Sequence, residues 1–234
     1  MIFFITTFVS MFLIYAIAMC VSFSLIKIFK LKRVQKDTHS YDNYISEIKF
    51  SILSLVLVSG ISTLIYNTKL INYTTLYYNI SDYGWFYYFA IIPIILLSYD
   101  LYFFMVHLLI HNKRLFKIIH LVHHQSKTIS PFAAYSMHPI ETIMLHGGLI
   151  TLFFLFPIHT THVYIWVITS LVYSSYLHLG YEVFSDRFLN SKIGRLLCTS
   201  TAHAKHHQFF NGNYGFYTLI WDKIFNTNKF GRMK

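Results

Sequence analysis

Long apolar runs constrain the fold of this chain more than any other feature of its sequence. Five such runs occur, at residues 2–29, 50–66, 86–105, 140–156 and 163–176. The chain is 55% hydrophobic and only 12% charged, which is too apolar for a soluble domain of this length. A helix needs about 20 apolar residues to cross a bilayer, and the first run exceeds that length. We therefore predict an all-α integral membrane protein.

The basic residues favour one orientation in the membrane. Of the 19 Lys and Arg, six flank the loop after the first run, four lie in residues 107–136 and eight follow His178, whereas Lys69 alone falls on the other side. Cytoplasmic loops are enriched in Lys and Arg. We predict a bundle of four to five transmembrane helices, with the N-terminus outside and the basic segments in the cytoplasm. The host membrane would be a bacterial inner membrane or the endoplasmic reticulum.

The formal net charge of +10 could also indicate a nucleic-acid partner. A nucleic-acid-binding protein carries its basic residues as a patch or stripe on a soluble fold. Here the basic residues are distributed by membrane side instead, so we predict no nucleic-acid partner.

Three tight histidine clusters lie on the predicted cytoplasmic side. The first is H-x-x-x-H at His107 and His111, and the other two are H-x-x-H-H, beginning at His120 and His203. On a helix, positions i, i+3 and i+4 share one face, so each cluster can direct two or three imidazoles to one place. Imidazole suits zinc, iron, copper and nickel. Eight histidines are too many for one ion, and two adjacent histidines can reach two different ions. We therefore predict two metal ions beneath a helical bundle, in a cytoplasmic histidine-rich cap.

Two further side chains are candidates for orienting the ligands. If the third apolar helix continues, Asp100 shares a face with His107, and a ligating histidine usually donates its other N–H to a carboxylate or carbonyl. The alternative is a lone polar Asp100 that lines a helix interface. His138, which precedes Pro139 at a predicted helix start, is the second candidate.

Three histidines outside the clusters are expected to have structural roles. His146 lies in an apolar run, and we expect a buried side chain whose polar atoms are satisfied. His159 and His162 lie in the turn between the last two runs, on the far side of the membrane. We expect both to be solvated.

These segments resemble the fatty acid hydroxylase superfamily, an integral-membrane group that includes sterol desaturases, sterol methyl oxidases and sphingolipid hydroxylases. That family carries H-x-x-x-H followed by two H-x-x-H-H motifs. The segment from His138 to Glu141 is similar to its His-Pro-x-Glu sequence, and His178-Leu-Gly resembles an isolated histidine before the third motif. The resemblance covers residues 89–227.

The resemblance implies two irons, for which zinc can substitute in purified protein. Their implied ligands are His107, His111, His120, His123, His124, His178, His203, His206 and His207. It further implies that residues 86–234 form a di-iron domain, preceded by transmembrane helices and loops in residues 1–85. Glu182 stands four residues after His178, where sphingolipid hydroxylases carry a paired histidine. This departure favours the sterol-desaturase-like branch or a site with one fewer imidazole.

The implied function is O2-dependent hydroxylation or desaturation of a lipid taken from the bilayer, of sterol or fatty-acyl type. The sequence contains no Rossmann fingerprint and no c-type haem motif, so electrons are expected from a separate carrier protein. The same ligands would also serve oxidative demethylation or the cleavage of an alkyl ether. A different class of function is a histidine-rich membrane protein for metal handling or transport, which would carry ionisable residues deep inside several spans.

Overall fold

Five long helices make up half of the chain, which is represented by a computed structural model that describes residues 1–35 and 41–229. The long helices are α1 (Ile2–Phe29), α2 (Tyr41–Asn67), α3 (Gly84–Ile110), α6 (Pro139–Leu155) and α7 (Thr160–Leu177). The shorter helices are α4 (Lys113–Leu115), α5 (Leu121–His124), α8 (Asp186–Leu189), α9 (Ser200–Phe209) and α10 (Ile220–Ile224). Three of the 19 Lys and Arg residues, namely Lys36, Arg232 and Lys234, lie outside the described residues.

Two small sheets join segments that are distant in sequence. Strands β1 (Lys32–Arg33) and β4 (Tyr181–Glu182) pair antiparallel. Strands β2 (Leu76–Tyr77) and β3 (Ile158–His159) pair in parallel. The first sheet lies beyond the C-terminal ends of α1 and α7, and the second lies at the opposite end of the bundle.

The lengths of the helices follow the apolar runs. Helices α1, α2 and α3 are long and apolar enough to cross a membrane, whereas α6 is a shorter apolar helix. At a rise of about 1.5 Å per residue, α6 and α7 each measure roughly 26 Å, slightly less than the ~30 Å hydrocarbon core of a bilayer. The protein is therefore helical, and three of its helices are candidate membrane spans. The number of crossings beyond these three stays a prediction.

The first two helices pack directly against the segment that follows the second histidine cluster. In α2, the buried carboxylate of Glu47 accepts hydrogen bonds from the hydroxyls of Ser126 (2.6 Å) and Ser130 (2.5 Å). The hydroxyl of Ser51 donates to the carbonyl of Phe132. A buried carboxylate is costly unless it is paired or hydrogen-bonded, so these bonds fix the loop against α2.

Helices α3 and α6 approach each other at a pair of glycines. A Cβ atom at Gly148 would overlap the ring of Tyr102. The Tyr102 hydroxyl donates to the carbonyl of Met144 at 2.8 Å. The absent side chain therefore lets Tyr102 of α3 pack directly against the backbone of α6.

The turn between α6 and α7 corrects one sequence prediction. His159 and His162 are not solvated, since they are only 6% and 5% exposed. The backbone N–H of Thr161 donates to His159 Nδ1, and His159 Nε2 donates to the carbonyl of Tyr78 at 3.0 Å. The rings of Tyr77 and Tyr88 cover both histidines. Tertiary packing of aromatic side chains from β2 and α3 causes this burial, and hydropathy along the chain does not record it.

Candidate metal centre

The first two histidine clusters lie on one almost continuous helical segment. His107 lies in the last turn of α3, and His111 directly follows its end. The side chain of Asn112 then accepts from the backbone N–H of Arg114 and caps α4. A π-helical turn, Phe116–His120, leads into α5. Such turns are frequent at functional sites, and this one sets the direction in which the second cluster faces.

Glu182 brings the third cluster to His178. Its carboxylate accepts from the Tyr176 hydroxyl at the end of α7, and from the backbone N–H and hydroxyl of Thr201 at the start of α9. His178 follows α7 directly, and the chain then turns at Gly180, which has a φ of 72°. A Cβ at that position would lie 3.0 Å from the carbonyl oxygen of Ile129. The turn therefore favours glycine on both conformational and steric grounds.

All nine histidines that the sequence analysis named as implied metal ligands converge, and they form two groups. The five-histidine group consists of His107, His111, His120, His124 and His206, and the four-histidine group consists of His123, His178, His203 and His207. Within each group, one ring nitrogen from each residue lies within 4.8 Å of all the others. The adjacent residues His123 and His124 belong to different groups, as do His206 and His207. Each H-x-x-H-H segment thus contributes to both groups.

Burial makes these imidazoles neutral. All except His111 are buried. Burial lowers the pKa of His123 to about 4 and that of His206 to about 3. It lowers in the same direction the pKa values of His111, His120, His124, His178, His203 and His207. Only the neutral imidazole has a lone pair for a metal. The groups are therefore in the ligating form at physiological pH.

Five Nδ1 atoms have partners that fix the tautomer. Those of His107, His123, His178 and His206 donate to the backbone carbonyls of Tyr214 (2.7 Å), Ser136 (3.1 Å), Ser174 (2.8 Å) and Gly212 (2.8 Å). His120 Nδ1 donates to the carboxylate of Glu141 at 2.8 Å. A carbonyl oxygen can only accept, so the proton is on Nδ1 and Nε2 carries a lone pair.

Where both tautomers are fixed, as in His107–His120 and His123–His178, the lone pairs point at each other, an arrangement that a cation between them would stabilise. His123 Nε2 lies 3.4 Å from His178 Nε2, and neither atom carries a proton to share. Across both groups, five Nε2–Nε2 distances fall between 3.0 and 3.4 Å. Two nitrogens about 2.1 Å from one ion, at angles of roughly 90–110°, have this separation. Both ring nitrogens of the buried His124 also lack a hydrogen-bond partner. The donor set therefore fits one ion in each group.

The side chains that orient the ligands differ in part from those predicted. Asp100 does not contact His107, whose Nδ1 is held by the Tyr214 carbonyl. His138 accepts from the backbone N–H of Ile140 and caps α6, and no hydrogen bond joins it to either group within the described residues. Glu141, three residues further along the same segment, is the carboxylate that holds a ligand. The signal in the sequence that could have identified Glu141 is a carboxylate within an apolar run.

Asp100 instead anchors the loop that carries Tyr214. Its carboxylate accepts from the backbone N–H groups of Tyr217 and Thr218 and from the Thr218 hydroxyl. At the other end of this loop, Asp222 accepts from the backbone N–H groups of Tyr214 and Gly215. The two buried carboxylates hold the loop from opposite ends. They act on His107 only through the position of the Tyr214 carbonyl.

A cavity of about 670 Å³ leads from the histidines along the interior of the bundle. His107, His120, His123, His178 and His203 line its inner end. Its other end lies among Phe3 of α1, Tyr66 of α2 and Tyr164 of α7. Its wall is predominantly apolar, and its volume lies within the roughly 300–1,000 Å³ of ligand pockets. The arrangement can place an apolar molecule against the two histidine groups.

Comparison with known proteins adds a family and several relatives. The Fatty acid hydroxylase family matches residues 92–227. Lathosterol oxidase of Mus musculus is 28% identical over 181 residues, which cover 76% of this chain and 58% of the relative. Methylsterol monooxygenase 1 of Gallus gallus is 33% identical over 131 residues, or 55% of this chain and 43% of the relative. Delta(7)-sterol 5(6)-desaturase of Eremothecium gossypii is 26% identical over 121 residues, or 52% of this chain and 32% of the relative.

The chain spans less than two thirds of the length of each of these relatives. No solved structure matches it. The three histidine clusters, His178 and the segment around Glu141 all lie inside the matched region. Since that region is more than half of the 234 residues, the chain belongs to the fatty acid hydroxylase family.

Proposed function

We propose that this protein is a membrane-bound oxidoreductase that hydroxylates or desaturates a lipid with O2. The observation that carries the proposal is the pairing of two histidine groups, with lone pairs directed inward, and an apolar cavity that ends at them. Relatives named as an oxidase, a monooxygenase and a desaturase of sterols support the same class of reaction.

In this proposal the five-histidine and four-histidine groups each hold one iron, with zinc as a substitute in purified protein. Two irons in such a site would supply O2 activation for attack on an unactivated C–H bond. The chain's own residues hold the imidazoles in one tautomer through backbone carbonyls and Glu141. Such outer partners fix ligand orientation and raise ligand basicity.

The cavity has two further roles in the proposal. Its apolar wall would take a lipid out of the bilayer and orient one segment of it towards the histidines. Occupation of the cavity would also keep water away from the reacting carbon. Which product forms depends on which C–H bond lies against the metal centre, so oxidative demethylation is a further outcome of the same site.

We also propose that the histidine end of the bundle faces the cytoplasm and that α6 and α7 bring the number of crossings to four or five. The C-terminal ends of α1, α3 and α7 and the N-terminal end of α6 all lie near the histidines. The described basic residues other than Lys69 lie in segments at that same end. Positive residues on one side support a cytoplasmic location for that side.

Two partners belong to this proposal: a lipid from the bilayer and a separate electron-transfer protein. We further propose that residues 86–234 form the metal-binding unit, while residues 1–85 supply helices that complete its cavity wall. Contacts of α1 and α2 with the loop after α5 support that arrangement.

The test is lipid profiling of cells with and without the gene, followed by turnover in membranes that hold the purified protein and a reductant. Lathosterol and a fatty-acyl lipid serve as the two probes. We expect a product with one added oxygen or two fewer hydrogens, formed by the wild type and by His162→Ala but not by His206→Ala. Equal lipid profiles and the absence of product with both probes would refute the proposal and favour metal handling or transport.

A further inference from the structure

The inner part of the cavity contains several polar atoms that form no hydrogen bond within the described part of the chain, and two of them lie side by side. His146 lines the cavity from α6, and its Nδ1 donates to the carbonyl of Thr142 at 2.9 Å. The Nε2 of His146 therefore carries a lone pair, and it has no hydrogen-bond partner in the described part of the chain. Tyr135 also lines the cavity, and its hydroxyl likewise has no partner among the described residues. The sequence predicted a buried His146 whose polar atoms are satisfied, whereas its side chain is partly buried and only one of its two ring nitrogens has a partner.

Two serine hydroxyls on the inner wall already have partners. Ser170 bonds to the hydroxyl of Tyr217, and Ser174 donates to the carbonyl of Ala134. Tyr99 has a hydroxyl without a partner in the described chain, but its ring packs edge-on against Trp166. Tyr135 and His146 differ because they lie together, with ring centroids 5.5 Å apart. They offer one donor and one acceptor on the same stretch of wall.

This pair lies close to the histidine groups. Tyr135 directly precedes Ser136, whose carbonyl holds His123. Glu141, which holds His120, lies five residues before His146 on α6. A helical rise of about 1.5 Å per residue puts His146 roughly 7–8 Å further along α6 than Glu141. A small ring system or a short run of methylenes spans that distance.

The charge of the cavity wall restricts the ligand further. Among the described residues, no Lys, Arg or Asp lines the cavity, and its one carboxylate, Glu141, is bonded to His120 through one oxygen while the other oxygen has no partner. At the stretch of wall formed by Tyr135 and His146, a fatty acid carboxylate or a phosphate headgroup would meet no Lys or Arg counter-ion, which is unfavourable in an apolar site. A neutral hydroxyl both donates and accepts one hydrogen bond. It therefore matches the lone pair of His146 and the O–H of Tyr135.

We propose that Tyr135 and His146 form a hydroxyl-binding site, and that the substrate is a neutral lipid alcohol that enters with its hydroxyl end towards the histidines. This inference rests on the proposed function, because it names the substrate class of the same site. The rest of the lipid lies in the apolar part of the cavity, towards Phe3 and Tyr164. Tyr135 and His146 are positioning residues, since they fix which carbon lies at the metal centre.

The test measures binding to the purified, metal-loaded protein without O2 or reductant, so that no turnover is needed. Two probe pairs differ only in the hydroxyl: lathosterol with its 3-deoxy counterpart, and hexadecan-1-ol with hexadecane. Palmitate is the charged comparator. In at least one pair we expect the alcohol to bind about 10-fold more tightly than the hydrocarbon, as a site built for a hydroxyl rejects the analogue without it. Palmitate should bind more weakly than hexadecan-1-ol.

Matched variants separate recognition from packing. Tyr135→Phe and His146→Leu should each reduce the preference for the alcohol to about 3-fold or less, because each removes one hydrogen bond. Binding of the hydrocarbon should not change, and His146→Gln should retain part of the preference through its amide oxygen. Tyr77→Phe and His162→Leu are the controls, since both positions have buried polar atoms without partners and neither lines the cavity.

Three results would overturn the inference: no preference in either pair, a preference that survives both substitutions, or palmitate binding as tightly as hexadecan-1-ol. The proposed function fails by a different result, the absence of any oxidised product. A protein that prefers alcohols but oxidises nothing would retain this site and lose the proposed reaction. A protein that oxidises lipids without the preference would retain the reaction and lose this site.

Discussion

Both ends of the helical bundle bury histidines, but the two ends differ in what their ring nitrogens face. At one end, His159 hydrogen-bonds to Thr161 and Tyr78, and aromatic rings cover His162. At the other end, nine histidines converge in two groups, and in the pairs His107–His120 and His123–His178 both facing nitrogens carry lone pairs. Burial alone therefore does not mark a metal site. The distinguishing feature is that facing ring nitrogens both carry lone pairs, so that no hydrogen bond can form between them.

The largest effect is expected from removing a ligand at the converging end. His206→Ala takes one nitrogen from the five-histidine group and leaves the carbonyl of Gly212 without its donor. The metal of that group should be lost, and product formation should fall by more than the roughly 10–100-fold typical of losing an outer partner. Metal content and lipid product are measured on the same preparation. Full activity in His206→Ala would remove the basis for assigning this group.

The next effect concerns the carboxylate that holds a ligand. Glu141→Leu removes the acceptor of the His120 N–H and introduces an apolar side chain of similar size. We expect metal affinity of the five-histidine group to fall about 10–100-fold, as measured by competition with a chelator. Glu141→Gln keeps an oxygen acceptor and should lose less. Equal losses of metal affinity in both variants would mean that the affinity does not depend on the acceptor oxygen of Glu141.

Asp100→Asn should have an intermediate effect of another kind. Asp100 holds the backbone at Tyr217 and Thr218 and does not touch a ligand. An amide retains one acceptor but places an NH2 group against a donor, which should lower the free energy of unfolding by about 1–3 kcal/mol. Thermal unfolding should shift clearly, whereas metal affinity should change less than in Glu141→Leu. A metal loss as large as that of Glu141→Leu would restore a direct role for Asp100.

The smallest effect on metal is expected at the far end of the bundle. His159→Ala removes buried hydrogen bonds to Tyr78 and Thr161, so stability should fall by about 1–2 kcal/mol. Metal content should not change, because α7 separates His159 from His178 by roughly 28 Å at about 1.5 Å per residue. Unfolding and metal content are measured together. Loss of metal in this folded variant would contradict the separation of the two ends.

Much of the candidate site could be predicted from the sequence because its spacing is local. The i, i+3, i+4 pattern on helices gave eight histidines, and resemblance to a family added His178. Which histidines share a group was not predictable, because it depends on how α3, α5 and α9 pack and on the π-helical turn before α5.

The partners that orient the ligands were the least predictable part. Four of them are backbone carbonyls, which any residue could supply. Asp100 was chosen because it shares a helix face with His107, but its partners lie 117 and 118 positions away in sequence. The burial of His159 and His162 likewise follows from long-range packing. The helices themselves were predictable, since apolar run length determines them almost alone.

Metal analysis of the wild-type protein, purified anaerobically with iron supplied, tests the central claim most directly. The two histidine groups predict two metal ions per chain, and zinc counts towards that total because it can replace iron in such ligands. The His162→Ala protein should give the same number. A value of zero or one ion per chain, with all nine histidines intact and the protein folded, would contradict the account.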